Sequence, residues 1–178
     1  MGTPDFAVPS LDLLNKHHEI AGVFTKIDKP NMRGKKIKFT PVKEYALEHE
    51  IPVYQPKSVK TQETLDLVRE INPDLIVVVA YGKILPKELI DIPKYGVINV
   101  HSSLLPKYRG AAPIHAAIIN GDTESGVSIM YIAEELDAGD VILQGKTPIN
   151  EEDTLETLHD RLMNIGACLL YTSPSPRD

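Results

Sequence analysis

The sequence predicts an α/β fold built on a doubly wound, mostly parallel sheet with helices on both faces. Three observations support this fold class. Short apolar segments rich in β-branched residues alternate along the chain with helical patterns, which is typical of a parallel α/β sheet. Residues 75–80 are apolar without interruption, as expected for a central strand that is covered on both sides. The chain has 178 residues, 42% of them apolar, which suffices for one domain of ordinary size.

Six strands are predicted. They cover residues 19–25, 52–55, 74–80, 96–101, 126–132 and 140–146. The last two are expected to be joined by a longer loop, because Glu-rich and Gly-containing sequence separates them. Residues 2–4 read Gly-Thr-Pro, which resembles the first loop of a doubly wound domain. An apolar strand normally precedes that loop, so we expect the first strand of this Rossmann-like sheet to be missing.

Two helices have caps that can be read from the sequence. Thr40 is suited to cap a helix whose first position is occupied by Pro41. Asp153 and Glu156 have the spacing of a capping box, with Asp in place of Ser or Thr. This pair predicts a helix over residues 154–166.

The last residues of the chain differ in composition from the rest. Residues 171–178 read Tyr-Thr-Ser-Pro-Ser-Pro-Arg-Asp, a shift that no local signal prepares. Residues 168–178 resemble the in-frame translation of a transposon-derived adaptor used in sequencing libraries, and the alternative is a natural Pro/Ser-rich tail. We expect a domain over residues 1–167, truncated at both ends, followed by a non-native tail that contains the only cysteine, Cys168.

The composition excludes several classes of protein. The 19 Lys and Arg residues against 25 Asp and Glu give a net charge of -6, which argues against a general polyanion binder. No apolar run approaches the roughly 18–20 residues of a membrane span, and the start lacks the features of a signal peptide, so we expect a cytoplasmic protein without membrane contact. One cysteine cannot form an internal disulfide, and no residue spacing indicates a metal site or a nucleotide-binding loop.

Asn99 and His101 lie at the carboxyl end of a predicted strand, just before a Ser-Ser and Pro turn. Residues two apart in a strand project to the same side, and open parallel sheets place their ligands at this edge. An amide suits a developing oxyanion and an imidazole carries protons near neutral pH, so the pair indicates acyl-type transfer. The alternative is that both side chains serve the turn.

Asp137 is the candidate for a carboxylate that orients His101. It lies in a Leu-Asp-Ala-Gly-Asp segment between the last two predicted strands, and such a turn can bring a carboxylate back over the sheet edge. A carboxylate near an imidazole favours the imidazolium and orients the ring. The sequence leaves open whether Asp137 or Asp140 faces inward, and whether this is a plain Asp turn.

Residues 26–43, here called the basic segment, contain seven Lys and Arg residues and one acid, so the rest of the chain carries a net charge of -12. This polarity fits a flexible basic loop, with Pro30 and Gly34 as hinges, that reaches for phosphate groups. The alternative is a solvated surface loop.

Four segments together resemble a known enzyme family. They are residues 1–9 (Met-Gly-Thr-Pro-Asp-Phe-Ala-Val-Pro), 33–36 (Arg-Gly-Lys-Lys), 99–114 (Asn-Val-His-Ser-Ser-Leu-Leu-Pro through Arg-Gly-Ala-Ala-Pro-Ile) and 136–140 (Leu-Asp-Ala-Gly-Asp). In order and spacing they are similar to the methionyl-tRNA formyltransferases. The Asn-x-His, Ser-Leu-Leu-Pro and Asp elements are shared by folate-dependent formyltransferases in general. The opening Gly-Thr-Pro-Asp-Phe, the Arg-Gly-Lys-Lys loop and Arg-Gly-Ala-Ala-Pro-Ile single out the tRNA enzymes.

The resemblance implies transfer of a formyl group from 10-formyltetrahydrofolate to the amino group of methionyl initiator tRNA, in translation initiation and without a metal. Asn99 would hold the formyl oxygen, His101 would stabilise the oxyanion or shuttle a proton, and Asp137 would orient His101 and help take the proton of the amine. The implied folate contacts are Ser102, Ser103, Leu104, Leu105 and Pro106. The implied contacts with the tRNA acceptor end are Arg33, Lys35, Lys36 and Lys38. We expect a monomer.

The chain also departs from the family. Family members begin one strand earlier, in the middle of the sheet, and continue into a small C-terminal β-barrel that contributes to tRNA binding. A polypeptide limited to these residues is therefore expected to be unstable or inactive. Two alternative functions remain: a formyltransferase for a small amine, such as glycinamide ribonucleotide or an amino sugar nucleotide, and a non-catalytic tRNA-binding remnant. The basic segment argues against the first, because a small acceptor needs no extended cationic arm.

Overall fold

The computed structural model describes residues 1–30 and 36–172. The helices in these residues are α1 (Val8–His17), α2 (Pro41–Glu48), α3 (Gln62–Ile71), α4 (Lys87–Ile90), α5 (Pro113–Ile119) and α6 (Leu155–Thr172). The strands are β1 (Val23–Phe24), β2 (Lys29–Pro30), β3 (Ile37–Lys38), β4 (Val53–Tyr54), β5 (Ile76–Val78), β6 (Val97–His101), β7 (Glu124–Tyr131) and β8 (Val141–Pro148). A single 3-10 turn, Asp5–Ala7, leads into α1.

The sheets combine parallel and antiparallel pairs. β1 pairs with β4 in parallel, and β2 with β3 in antiparallel orientation. β5, β6, β7 and β8 form a sheet in that order, in which the first pair is parallel and the other two pairs are antiparallel. Residues 1 and 2 lie between β1 and β5, where the Gly2 amide donates to Phe24 O and the Val79 amide donates to Met1 O. This is the place where the family resemblance puts the first strand.

β5 shows why both faces of the sheet are covered. Ile76 and Val78 belong to a buried cluster with residues of α3 and α4, such as Leu65. Val77 points the other way and packs against the second cluster, which includes Leu162 of α6. Alternate residues of one apolar strand thus pack into two cores, one on each face of the sheet. The predicted α/β class with helices on both faces is confirmed.

The predicted strands all exist, but most are shorter than the apolar segments that predicted them. Ile20 and Leu75, for example, lie outside the hydrogen-bonded ladders and still pack against the core. Apolar character reports burial, which extends beyond the residues that pair. The start of α2 is confirmed as predicted: Thr40 Oγ1 accepts a hydrogen bond from the Lys43 amide at 3.2 Å, and Pro41 is the first helical residue.

The predicted capping box of the last helix is wrong. Thr154 Oγ1 accepts from the Thr157 amide at 3.2 Å, so Thr154 caps α6. The Asp153 carboxylate instead accepts two hydrogen bonds from the Arg161 guanidinium, at 2.7 and 3.0 Å. Two hydrogen bonds from a cationic guanidinium are stronger than one hydrogen bond from a neutral backbone amide, so Asp153 turns toward Arg161.

α6 also extends beyond its predicted end and reaches Thr172. Leu169 and Leu170 are partly buried against the core, which favours continuation of the helix. Residues 173–178 of the predicted tail lie outside the described residues, and the domain boundary at residue 167 stays a prediction. No helix within residues 1–30 and 36–172 combines the length and apolar character that crossing a bilayer requires.

Candidate active site

Asn99 and His101 lie on β6, at the carboxyl end of the strand. In the ladders, Asn99 stands opposite Val78 of β5 and His101 opposite Ser128 of β7. Val100, between them, is buried in the cluster on the other face of the sheet. Asn99 and His101 therefore share one face, as their spacing predicts.

Asp137 is the carboxylate that reaches His101. Its Oδ2 lies 3.7 Å from Nδ1 of His101, and the two side chains are only 12% and 8% exposed. The same oxygen accepts a hydrogen bond from the Gly110 amide at 2.7 Å. At 3.7 Å the carboxylate and the ring are close but not hydrogen-bonded, so a direct hydrogen bond between them would need a small approach. Asp140, the other carboxylate of this segment, is exposed.

The loop between β7 and β8 places Asp137 through its backbone conformation. Asp137 itself has a φ of +48°, in the left-handed region. A Cβ added to Gly139 would lie 1.9 Å from the carbonyl oxygen of Tyr131, so no side chain fits there. The Tyr131 amide donates to the Asp140 carbonyl at 2.9 Å and closes the base of the loop.

The other polar atoms of His101 and Asn99 differ in their contacts. Nε2 of His101 lies 2.9 Å from the carbonyl oxygen of Tyr108, which holds the buried ring from its other side. The amide of half-buried Asn99 makes no side-chain hydrogen bond within residues 1–30 and 36–172 and is free for a ligand. An amide, an imidazole and a carboxylate at one sheet edge are a combination of groups suited to acyl transfer. Within the described ranges, no group of three or more His, Cys, Asp or Glu could hold a metal ion.

Two of the five predicted folate residues brace the turn after β6. Ser103 Oγ donates to Lys107 O at 2.6 Å, and the Leu105 amide donates to Ser128 Oγ at 3.1 Å. Both Ser103 and Leu105 are buried. Their polar groups are thus committed to the shape of the turn and to its attachment to β7.

The other three predicted folate residues are at least partly accessible to a ligand. Ser102 is half-buried and Pro106 is exposed, while Leu104 lines a cavity of about 220 Å³ beside the turn. Contacts between folate and residues 102–106 therefore stay a prediction that rests mainly on Ser102, Leu104 and Pro106.

The basic segment contains a short hairpin. β2 and β3 pair in antiparallel orientation on either side of residues 31–35. Lys36 and Lys38 are exposed on this hairpin. Arg33 and Lys35, the other two predicted tRNA contacts, lie outside the described residues.

The base of this hairpin is held by polar contacts. Lys43 forms an ion pair with Asp28, and this hydrogen bond holds the pKa of the Asp28 carboxyl below its usual range. Gln55 Nε2 donates to Asp28 Oδ1 at 2.9 Å and to Lys26 O at 2.8 Å. The only acid of the basic segment is thereby paired with Lys43 at the base of the hairpin.

Three residues that hold the candidate site were not singled out from the sequence. Tyr108 contributes a carbonyl oxygen, Gly110 an amide, and Gly139 the absence of a side chain. Backbone groups are the same in every residue type, so the first two leave no signal in composition or spacing. The glycine two residues after Asp137 was the one available signal of a close approach.

Comparison with known proteins identifies the family. Residues 1–172 match the family described as "Formyl transferase". The chain belongs to this family. Its curated relatives include the methionyl-tRNA formyltransferase of Fusobacterium nucleatum, 66% identical over 170 residues, which cover 96% of this chain and 55% of that protein. The methionyl-tRNA formyltransferase of Clostridioides difficile is 56% identical over 168 residues, covering 94% of this chain and 54% of that protein. The chain thus spans about half the length of the curated relatives it matches.

Solved structures of formyl-group enzymes share the fold of this family member. A phosphoribosylglycinamide formyltransferase from Bacillus halodurans superimposes with a TM-score of 0.77 at 27% identity, covering 94% of this chain and 88% of that chain. A formyltetrahydrofolate deformylase from Pseudomonas syringae pv. tomato gives a TM-score of 0.74 at 26% identity, covering 96% of this chain and 57% of that chain. The predicted Rossmann-like α/β architecture is confirmed by these similarities.

Proposed function

We propose that this chain forms the catalytic domain of an enzyme that transfers a formyl group from 10-formyltetrahydrofolate to the amino group of methionyl initiator tRNA. The observation that carries the proposal is the approach of Asp137 to His101 on the same face as the free amide of Asn99. The names of the relatives at 66% and 56% identity support the acceptor, and the family supports a formyl donor. Translation takes place in the cytoplasm, where we place the protein.

The proposed chemistry uses each of the three side chains once. The amine of the methionine attacks the formyl carbon, a new C–N bond forms, and the bond between that carbon and N10 of the folate breaks. Asn99 donates a hydrogen bond to the formyl oxygen as it gains negative charge. His101 passes the proton lost by the amine toward N10, and Asp137 favours the charged form of the ring during that transfer.

Two further groups of residues bind the substrates in this proposal. Ser102, Leu104 and Pro106, on the open side of the turn after β6, contact the folate, as the family resemblance implies. The hairpin of the basic segment contacts the phosphates of the tRNA acceptor end. Lys36 and Lys38 are exposed and form no ion pair with the residues that the structure describes, unlike Lys43 with Asp28, so we expect them to be available to a polyanion.

A second candidate acceptor is a small amine. The structure from Bacillus halodurans, which covers 94% of this chain, is that of a phosphoribosylglycinamide formyltransferase. The two functions separate when the intact protein is given 10-formyltetrahydrofolate with either charged initiator tRNA or glycinamide ribonucleotide. Formylation of the tRNA alone supports our proposal, and formylation of the ribonucleotide alone overturns it.

Catalysis and tRNA binding are tested separately in the same protein. His101→Ala and Asn99→Ala should each lower the rate of transfer by about 10²–10⁴-fold, with tRNA affinity unchanged. His115→Ala is the matched control, because His115 is exposed on α5 and outside the candidate site. Full activity of His101→Ala would reject the role of His101, whereas tRNA binding without formylation by the unmodified protein would support the non-catalytic tRNA-binding function.

The basic segment is tested through binding. Replacing both Lys36 and Lys38 by Ala should weaken tRNA binding and flatten its dependence on salt, by about one unit of log–log slope per lost phosphate contact. Lys60→Ala is the control, because Lys60 is equally exposed and lies outside the segment. Equal losses in the control and the double variant would show a non-specific charge effect and refute the assignment.

A further inference from the structure

Tyr108 joins the catalytic ring to a second, separate group of residues. Its carbonyl oxygen lies 2.9 Å from Nε2 of His101. Its phenol points away from the site and donates a hydrogen bond to Asp122 Oδ2 at 2.7 Å. Asn120 Nδ2 donates to the phenol oxygen at 3.0 Å. One residue thus links the imidazole to the segment that follows α5.

The backbone of Tyr108 has an unfavourable conformation that contacts of the side chain help to maintain. Its φ is +55°, a left-handed conformation that residues other than glycine rarely adopt without compensation. The phenol flanks the cavity of about 220 Å³ together with Leu104 and Asp122, so packing alone leaves it room to move. The hydrogen bonds to Asp122 and Asn120 are therefore what hold the ring, and through it the carbonyl, in place.

The contact with the carbonyl decides the state of the imidazole. A backbone carbonyl oxygen only accepts hydrogen bonds, so the hydrogen in this contact must lie on Nε2 of His101. In the neutral ring the lone pair is then on Nδ1, which faces Asp137 Oδ2 at 3.7 Å. The nitrogen beside the carboxylate is consequently the one that gains and loses a proton.

We infer that Tyr108 is a positioning residue for the proposed formyl transfer: anchored by Asp122, its carbonyl keeps a hydrogen on Nε2 of His101 and reserves Nδ1 for proton exchange. The inference rests on the proposed function for its catalytic consequence, but the ring state can be measured without turnover. Neither Tyr108 nor Asp122 was assigned a role from the sequence.

The test uses the intact protein with ¹⁵N-labelled histidine, because ¹⁵N chemical shifts distinguish the two neutral tautomers. His101 of the unmodified protein should show the Nε2–H form at pH values above its titration. Tyr108→Phe removes only the phenol oxygen and should yield a mixture of tautomers. Its kcat should fall about tenfold with KM nearly unchanged, because the substrate contacts stay while the ring loses its alignment. Tyr95→Phe, on the loop before β6, is the matched control and should change neither quantity.

Substitutions of Asp122 separate positioning from a general structural effect. Asp122→Asn keeps an oxygen that accepts from the phenol, so the tautomer and kcat should stay close to those of the unmodified protein. Asp122→Ala removes the acceptor and should reproduce the Tyr108→Phe result. An Nδ1–H tautomer in the unmodified protein, or an unchanged tautomer in both Tyr108→Phe and Asp122→Ala, would overturn the inference. The expected tautomers in a protein that does not formylate tRNA would instead refute the proposed function alone.

Discussion

In a polypeptide that begins at Met1, the free amino group of that residue should make stability depend on pH. It is buried between β1 and β5 and donates a hydrogen bond to Val77 O at 2.7 Å. Burial lowers its pKa from 8.0 to about 5, because the charged form loses its hydration. In the unfolded chain the same group is exposed and has an ordinary pKa near 8. The unfolded state therefore binds this proton more tightly, and lowering the pH favours unfolding.

The magnitude follows from the two pKa values. Each pKa unit corresponds to about 1.4 kcal/mol, so the change from 8.0 to about 5 amounts to about 4 kcal/mol. This contribution is fully present above pH 8, is lost progressively between pH 8 and pH 5, and is gone below pH 5. A loss of about 4 kcal/mol is a large part of the roughly 5–15 kcal/mol that stabilises a domain.

Urea unfolding of two forms of the chain measures this effect, one with a free amino group at Met1 and one with that group acetylated. The two forms share every side chain, so the difference between the forms isolates the amino group. An apolar crevice beside Met1, lined by residues including Leu11, Leu14 and Val77, can take up the acetyl group. The acetylated form should gain stability relative to the free form as the pH falls from 8 to 5. A constant difference across that range would refute the buried, uncharged amine.

Three further predictions concern the packing and the charges. Gly139→Ala places a Cβ 1.9 Å from a carbonyl oxygen of β7, so the loop must shift. We expect a loss of stability of about 1–3 kcal/mol, measured by urea unfolding. Formyl transfer should also be lost, which a turnover assay measures. Leu162→Ala removes a fully buried side chain and should cost about 2–5 kcal/mol by urea unfolding, whereas Leu136→Ala, at an exposed site, should change stability by less than about 0.5 kcal/mol. The Arg161 guanidinium lowers the pKa of Asp153 from 3.8. The unfolding free energy should therefore fall more steeply below pH 3.8 in the unmodified protein than in Arg161→Ala. If the unfolding free energies of both proteins fall equally with pH, the pairing is contradicted.

Features that depend on near neighbours could be predicted from the sequence. The common face of Asn99 and His101 follows from the period of a strand, and the cap of α2 at Thr40 follows from one side chain and the helix it begins. The two-sided burial of β5 follows in the same way from its uninterrupted apolar residues. These are local rules, and the rest of the fold does not oppose them here.

Features that depend on distant partners could not be predicted. Asp153 had the right spacing for a cap, but Arg161 offers it a stronger, bidentate partner eight positions later. The inward orientation of Asp137 depends on its positive φ and on the fit of Gly139 against the carbonyl of Tyr131. The sequence does not show the positive φ of Asp137, and Gly139 signals a close approach without identifying the group that approaches, so the choice between the two carboxylates of this loop needed the structure.

The contacts of Asp137 allow its charge to be separated from its place in the loop. Its Oδ2 accepts from the Gly110 amide and also faces Nδ1 of His101, so one oxygen serves both the link between two loops and the electrostatics of the ring. In Asp137→Asn the side-chain oxygen can still accept from Gly110, so stability should stay within about 0.5 kcal/mol of the unmodified protein. The negative charge that faces the ring during the proposed proton transfer is gone, so kcat should fall about 10²–10⁴-fold. Asp137→Ala should lose the same activity and about 1 kcal/mol of stability, because the half-buried amide of Gly110 loses its hydrogen-bond partner. If Asp137→Asn keeps full turnover while Asp137→Ala does not, Asp137 acts only by holding the loop. His101 then functions without the negative charge of Asp137.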